Sequence, residues 1–347
     1  MLASGAEMEM TEHRKKKIKN FEQKMMPIVN VGPLYDDHPE ALAAVDQTIG
    51  EACRSKGGFV VTGLPPSLHQ QKISIEEFFK IFDLPEDELY SIATRETRPD
   101  STLTRRGYTK YLGGFAYGEG FDLGTEQPIS GPHVDGIDLM IHNNAWPSQE
   151  PIPGWRNALI QHFRQMEALG IKVIRSIARY LRVDESAAGR RYENSSSILR
   201  FLKYPQRPEH IDLRGEKSGM RVVEGCEVSL STAEHTDNGG LTFQWQDTPG
   251  LQVQAPNEEW FSVPIIRDGF SVHLCEALET QTSGRLHATP HRVYNTGKER
   301  QSMVFFLEPN LFAGVNSFSA EPNESRAPDL ETYAASMINT LRETGRG

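Results

Sequence analysis

Four residues, His235 and Asp237 close together and His291 and Arg300 far downstream, set the narrowest limit on what this sequence can fold into. His235 and Asp237 flank one threonine, and on an extended strand residues two apart leave the same face. A single strand cannot close one face of a metal ion with three ligands. A second histidine must therefore come from a distant strand, and His291, directly before Arg292-Val293, meets that need. Two imidazoles and one carboxylate on one side of an ion leave three coordination positions open. Such a set suits octahedral Fe(II), whereas structural zinc favours a closed tetrahedron. Further on, Arg300 and Ser302 again stand two apart, a guanidinium and a hydroxyl facing one way and fit to clasp a carboxylate. His-x-Asp alone is common; the ordered set is not. The chain after Ile198 supplies strands to carry it, in short alternating segments broken at Gly240, Pro249-Gly250, Asn257, Gly269 and Gly284. That spacing suits an all-β barrel or sandwich.

The same stretch carries Gly240-Leu241-Thr242, Gln246-Asp247, Gly250-Leu251-Gln252-Val253, Trp260, Val263-Pro264 and Phe305-Phe306-Leu307-Glu308-Pro309. With these landmarks the chain resembles the iron(II)- and 2-oxoglutarate-dependent oxygenases of the isopenicillin N synthase-like family, more weakly back to Pro27-Ile28. The resemblance implies a mainly β fold with flanking helices, built on a double-stranded β-helix (jelly-roll, cupin-like) core. It implies an Fe(II) site of His235, Asp237 and His291, with no catalytic side chain beyond these ligands. Arg300 and Ser302 would hold the distal carboxylate of 2-oxoglutarate, and Tyr204 of Tyr204-Pro205 would touch the same molecule. O2 completes the co-substrates, with ascorbate as reductant in vitro. Succinate and CO2 would be released while a small organic substrate is hydroxylated, desaturated or cyclised; the motif does not choose among these. Two other functions use the same residues. One is an oxidase of the isopenicillin N synthase type, which needs no 2-oxoglutarate and binds its substrate's carboxylate at Arg300 and Ser302. The other is a non-catalytic small-molecule-binding protein, which loss of a ligand would favour; none is lost.

Along the chain, residues 1–25 read as a polar tail, and Arg14-Lys15-Lys16-Lys17 as a solvated face, since one short basic run is weak evidence for an anionic partner. Residues 26–190 read as a helical and strand region packing on the core, 191–312 as the jelly-roll catalytic core and 313–347 as a helical segment, all in one integrated domain. The pattern predicts strands at 27–31 and 58–63, with a helix over 39–56 ended by Gly57-Gly58 between them. Two short helices, 74–82 and 86–93, split at Leu84-Pro85. The glycine- and tyrosine-rich segment 105–121 reads as a loop folding over a ligand, with Tyr108, Tyr111, Phe115 and Tyr117 as substrate-binding candidates. Asn144-Ala145-Trp146-Pro147 is another family landmark. A long helix follows at 155–181, because Leu159, Phe163, Met166, Leu169, Val173, Ile174, Ile177 and Leu181 repeat at three and four, and a closing helix is expected over 330–341.

Two segments depart from the family pattern. Gly63-Leu64-Pro65 replaces Asn-His-Gly, and His273-Leu274-Cys275-Glu276 replaces Asn-x-Gly-Asp. The second is expected to change contacts around the site without making His273 a fourth ligand. His13, His38, His69, His162 and His210 are taken as structural, and His287 and Thr289 receive no catalytic role.

Composition excludes several classes. A net charge of -10 gives no basic footprint for nucleic acid. No apolar run approaches a membrane span and no signal core is present, so a soluble cytoplasmic enzyme without a membrane or an obligate protein partner is expected. The three cysteines, Cys53, Cys226 and Cys275, suggest neither a disulfide framework nor a thiolate metal site, and Cys226 and Cys275 read as packing residues.

Overall fold

Side chains alternate along the strands between a dry face and a polar one, and this alternation positions everything else. The computed structural model describes residues 26–36, 38–69, 73–113, 116–127, 129, 131–207, 220–223, 225–318 and 331–343. The basic tail, His13, Phe115 and His210 lie outside them. The strands are β1 (Ile28–Asn30), β2 (Gly58–Thr62), β3 (Gly107–Gly113), β4 (Ala116–Gly124), β5 (Ile198–Tyr204), β6 (Met220–Val223) and β7 (Cys226–His235). They continue with β8 (Leu241–Gln246), β9 (Leu251–Gln254), β10 (Trp260–Ser262), β11 (Phe270–Leu274), β12 (His291–Tyr294) and β13 (Arg300–Leu307).

One run of pairing follows the order β1-β2-β11-β8-β13-β5-β4, a second the order β7-β12-β9-β10, and a bridge from Ala116 to Thr232 joins them. β3 extends β4 as a hairpin, and β6 pairs with β7. Apart from parallel β1 and β2, these pairings are antiparallel. A mixed sheet with flanking helices results, resembling the double-stranded β-helix. Strands from both the first and second halves of the chain share it.

On the dry face of the first run, Phe121 (β4), Phe201 (β5), Phe243 (β8), Val272 (β11) and Phe305 (β13) join one apolar core. Against it lies α2 (Trp155–Leu181), after α1 (Pro39–Lys56) and before α3 (Tyr333–Glu343). α2 buries Leu159, Phe163, Met166, Leu169, Val173, Ile174 and Ile177, the stripe its three-and-four periodicity requires. Gly170 lets it approach β13, since a Cβ there would lie 2.9 Å from the Leu307 side chain. α1 ends where the chain predicts, at Gly57 with φ 74°, a conformation glycine adopts without steric penalty. Arg179 of α2 ties the two helices by a bidentate pair to Asp46, at 2.7 and 2.8 Å.

Leu169 is fully buried in that core. Leu169→Ala is expected to cost about 2–5 kcal/mol, read as a lower midpoint in denaturant with an unchanged slope. His162 is also fully buried on α2, as a structural histidine, and burial lowers its pKa from 6.5 to about 4. The unfolded chain takes up this proton first as pH falls, so the stability is present above 6.5 and is lost progressively towards pH 4. At roughly 1.4 kcal/mol per unit, that is on the order of 3 kcal/mol. Denaturation of His162→Leu at several pH values should show a correspondingly flatter slope.

Several expectations need correction. The expected loop over 105–121 is instead the β3–β4 hairpin, with Tyr108 opposite Phe121 and Tyr111 opposite Gly118. Its glycines serve close packing: a Cβ on Gly118 would meet the Lys203 carbonyl at 2.5 Å, and one on Gly120 the Tyr111 ring at 2.8 Å. The helix over 74–82 narrows to Ile75–Phe78 followed by a 3-10 turn to Asp83. Cys226 is exposed at the β6–β7 turn rather than packed inside. Among the described residues, no helix is long and apolar enough to cross a membrane.

Candidate active site

The end of β7, the start of β12 and the polar face of β13 carry His235, His291, Arg300 and Ser302. β12 runs antiparallel to β7 with His291 directly opposite His235, and their ring centroids are 4.1 Å apart. Asp237 lies just beyond the end of β7, not on the strand as an extended His-x-Asp would have it. The chain still brings its carboxylate to the rings. His235 Nε2 is 3.5 Å from Asp237 Oδ1, and His291 Nε2 is 3.6 Å from Oδ2. Together the three residues form a metal-competent group, with one donor atom from each within 4.8 Å of the others.

Hydrogen bonds on the far side of each ring settle which nitrogen is bare. His235 Nδ1 lies 2.8 Å from the Ala233 carbonyl and His291 Nδ1 3.1 Å from the Thr289 carbonyl. A carbonyl only accepts, so both Nδ1 atoms carry the proton and both Nε2 atoms present lone pairs to the carboxylate. Burial lowers the His291 pKa to about 3, which keeps that ring neutral. Burial alone would raise the Asp237 pKa, but the imidazoles packed against it, His291 foremost, hold it well below the usual carboxylate range. Two lone pairs and an anion turned on one point repel unless a cation sits among them, and an ion with open positions fits this donor set.

Arg300 and Ser302 project from the polar face of β13, whose other face carries Met303 and Phe305 into the core. Arg300 is 2% exposed. Its Nη2 donates to Gln246 Oε1 at 2.9 Å, its Nε to the Thr248 carbonyl at 3.3 Å, and the Tyr204 ring lies 5.2 Å from the guanidinium. Its Nη1, and Ser302 Oγ two residues on, are buried without a hydrogen-bond partner among the described residues. Burying such groups unpaired is costly, so this wall holds two donors ready for an outside acceptor. Tyr204 OH lies 3.1 Å from Thr232 Oγ1.

The tyrosines of the hairpin divide. Tyr108 belongs to the apolar core and its hydroxyl donates to Glu119 at 2.5 Å. Tyr111 lies within electrostatic reach of Arg200, Asp122 and Tyr204, and burial pushes its pKa up to about 12. Tyr117 is half-buried, 5.4 Å from the Arg207 guanidinium. Sequence reasoning gave no role to the Arg200–Asp122 pair, bidentate at 2.8 and 2.6 Å, because its members are far apart in the chain. Thr242 was visible only as a landmark; its hydroxyl donates to Asp237 Oδ2 at 2.5 Å.

Two family models match this chain. The 2OG-Fe(II) oxygenase superfamily covers residues 194–309, and the N-terminal region of the non-haem dioxygenases of morphine synthesis covers 26–149. The clavatol oxidase claD of Penicillium crustosum is 28% identical over 90% of this chain and 95% of that protein. The 2-oxoglutarate-dependent dioxygenase citB of Monascus ruber is 29% identical over 82% of this chain and 85% of that protein. In fold the chain is similar to a full-length Neurospora crassa protein solved in complex with alpha-KG, with a TM-score of 0.72 and 20% identity over 93% of this chain and 98% of that one. The facial donor group and both family models agree, and the chain belongs to the Fe(II)/2-oxoglutarate oxygenase superfamily. It is an oxidoreductase that oxidises a small organic substrate with Fe(II), 2-oxoglutarate and O2.

Proposed function

We propose that His235, Asp237 and His291 hold the ferrous ion, and that Arg300, Ser302 and Tyr204 bind the distal carboxylate of 2-oxoglutarate beside it. The observation that carries this reading is the pair of buried atoms, Arg300 Nη1 and Ser302 Oγ, that have no partner among the described residues. A carboxylate seated there accepts from both, and its charge restores what burial takes from the guanidinium, whose pKa burial lowers. Gln246 and the Thr248 carbonyl hold the other guanidinium nitrogens and fix the direction of the fork.

Bound at the triad, Fe(II) supplies oxygen activation coupled to decarboxylation of 2-oxoglutarate, which yields succinate and CO2. The protein's part is positional. The Ala233 and Thr289 carbonyls orient the two imidazoles, and Thr242 holds one oxygen of Asp237. Tyr111 and the Arg200–Asp122 pair, with Tyr117, form the substrate side; Tyr108 supports them from the core. The substrate is hydroxylated, desaturated or cyclised there. The landmarks from His235 to Pro309 support placement in the isopenicillin N synthase-like group. Residues 26–347 act as one integrated catalytic domain in the cytoplasm, after the polar tail of residues 1–25 and without a nucleic-acid, membrane or obligate protein partner.

Purified protein supplied with Fe(II), ascorbate and 2-oxoglutarate in air is expected to release succinate as O2 is consumed, and to stop when the metal is chelated. Equal release from metal-stripped protein would overturn the assignment.

A further inference from the structure

A third imidazole stands against the same carboxylate, and it is not part of the metal-competent group. His273 of β11 is fully buried, with its ring centroid 4.3 Å from that of His291. Its Nε2 lies 3.3 Å from Asp237 Oδ2, the oxygen that also accepts from Thr242 Oγ1 at 2.5 Å. An ionised carboxylate only accepts, so His273 Nε2 must carry the proton in this contact. That is the reverse of His235 and His291, whose protons sit on Nδ1 and whose Nε2 atoms are bare. Consistent with this tautomer, His273 Nδ1 makes no hydrogen bond among the described residues. Of three rings around one carboxylate, two offer lone pairs and one offers a hydrogen.

We propose that His273 is a positioning residue for the metal centre: with Thr242 it pins Asp237 Oδ2 by hydrogen bonds, so that the carboxylate turns its other oxygen, Oδ1, to the metal and leaves the remaining positions open. The neighbouring side chains of the same segment support the arrangement. Cys275 Sγ lies 3.3 Å from Thr242 Oγ1. The Thr242 proton is already committed to Asp237, so the thiol donates and completes a chain from Cys275 through Thr242 to Oδ2. The Glu276 amide donates to the Asp237 carbonyl at 2.9 Å, and the Glu276 side chain accepts from Thr236 Oγ1 at 2.5 Å. His273, Cys275 and Glu276, which replace the family's usual residues, thus all bear on the Thr236-Asp237 turn.

The inference rests on the triad holding the metal, and the test separates the two. Co(II), which is stable in air, is titrated into metal-free protein. His273→Leu, which removes the donor, is expected to weaken Co(II) binding by about 10- to 100-fold, the usual cost of losing a supporting contact to a ligand. His273→Gln, whose amide nitrogen can occupy the place of Nε2, is expected to retain most of the affinity. Asp237→Ala is the control for the triad; if it binds Co(II) as the wild type does, the triad itself is wrong. With that control passed, wild-type affinity in His273→Leu, or equal weakening in Leu and Gln variants, overturns the positioning role alone. Nitrogen-15 NMR of the histidine rings in the intact Zn(II)-loaded protein decides the matter even if the leucine variant fails to fold. A protonated, metal-free Nε2 on His273 is expected, and a bare or metal-bound Nε2 refutes the proposal.

Discussion

Arg300→Ala raises the 2-oxoglutarate requirement by roughly thirty-fold to several thousand-fold and leaves Fe(II) affinity nearly unchanged. The magnitude follows from removing one partner of a buried, charge-assisted pair, which costs on the order of 2–5 kcal/mol at about 1.4 kcal/mol per decade. Iron binding is spared because the guanidinium contacts Gln246, the Thr248 carbonyl and the Tyr204 ring, and none of the triad residues. Arg300→Lys recovers only part of the loss, since an ammonium keeps the charge but not the planar fork that donates at once to Gln246 and to a ligand. Titration of both variants with 2-oxoglutarate, followed by O2 uptake, checks the expectation. An oxidase that needs no 2-oxo acid behaves differently: the same substitution damages affinity for the primary substrate, and the wild type turns over without 2-oxoglutarate. Product formation coupled to O2 uptake in its absence would therefore contradict a carboxylate cradle built for 2-oxoglutarate.

The second large effect is at the triad. His235→Ala, Asp237→Ala and His291→Ala should each abolish turnover and weaken Fe(II) binding beyond the roughly 10- to 100-fold expected for a merely supporting contact. The fold should survive, because each histidine ring hydrogen-bonds at Nδ1 to a carbonyl only two residues back in its own chain. Asp237→Ala is the most demanding for stability: it strands the Thr242 hydroxyl and the His273 Nε2–H in the interior, at about 1–3 kcal/mol each. Circular dichroism of the metal-free variants, with anaerobic Fe(II) titration, separates lost binding from lost folding. Full activity in His291→Ala would remove the basis for the assignment.

Much of the scaffold was legible in the chain because the signals were local. α2 could be read from apolar residues at three and four, and the end of α1 from Gly57, since a helix stripe and a left-handed cap are properties of adjacent residues. The β3–β4 hairpin was not legible. Gly118 and Gly120 resemble loop residues in sequence, yet they are small because a neighbouring strand and the Tyr111 ring occupy the space where a Cβ would go. Tyr108 and Tyr111 look alike in the chain; their strand's place in the sheet sends one to the core and leaves the other near Arg200.

At the site, the sequence by itself determined the kinds of groups and their order: two histidines and an aspartate able to bind a metal, then an arginine and a serine on one face of a strand. It also marked His273-Leu274-Cys275-Glu276 as unusual. Only the tertiary structure decided what each group does there. A histidine offers a lone pair or a hydrogen to its neighbour according to which nitrogen is bare, and that depends on the partner of the other nitrogen. For His235 and His291 the partner is a nearby carbonyl; for His273 the carboxylate itself accepts the hydrogen bond, because the chain beyond the end of β7 brings Asp237 against β11.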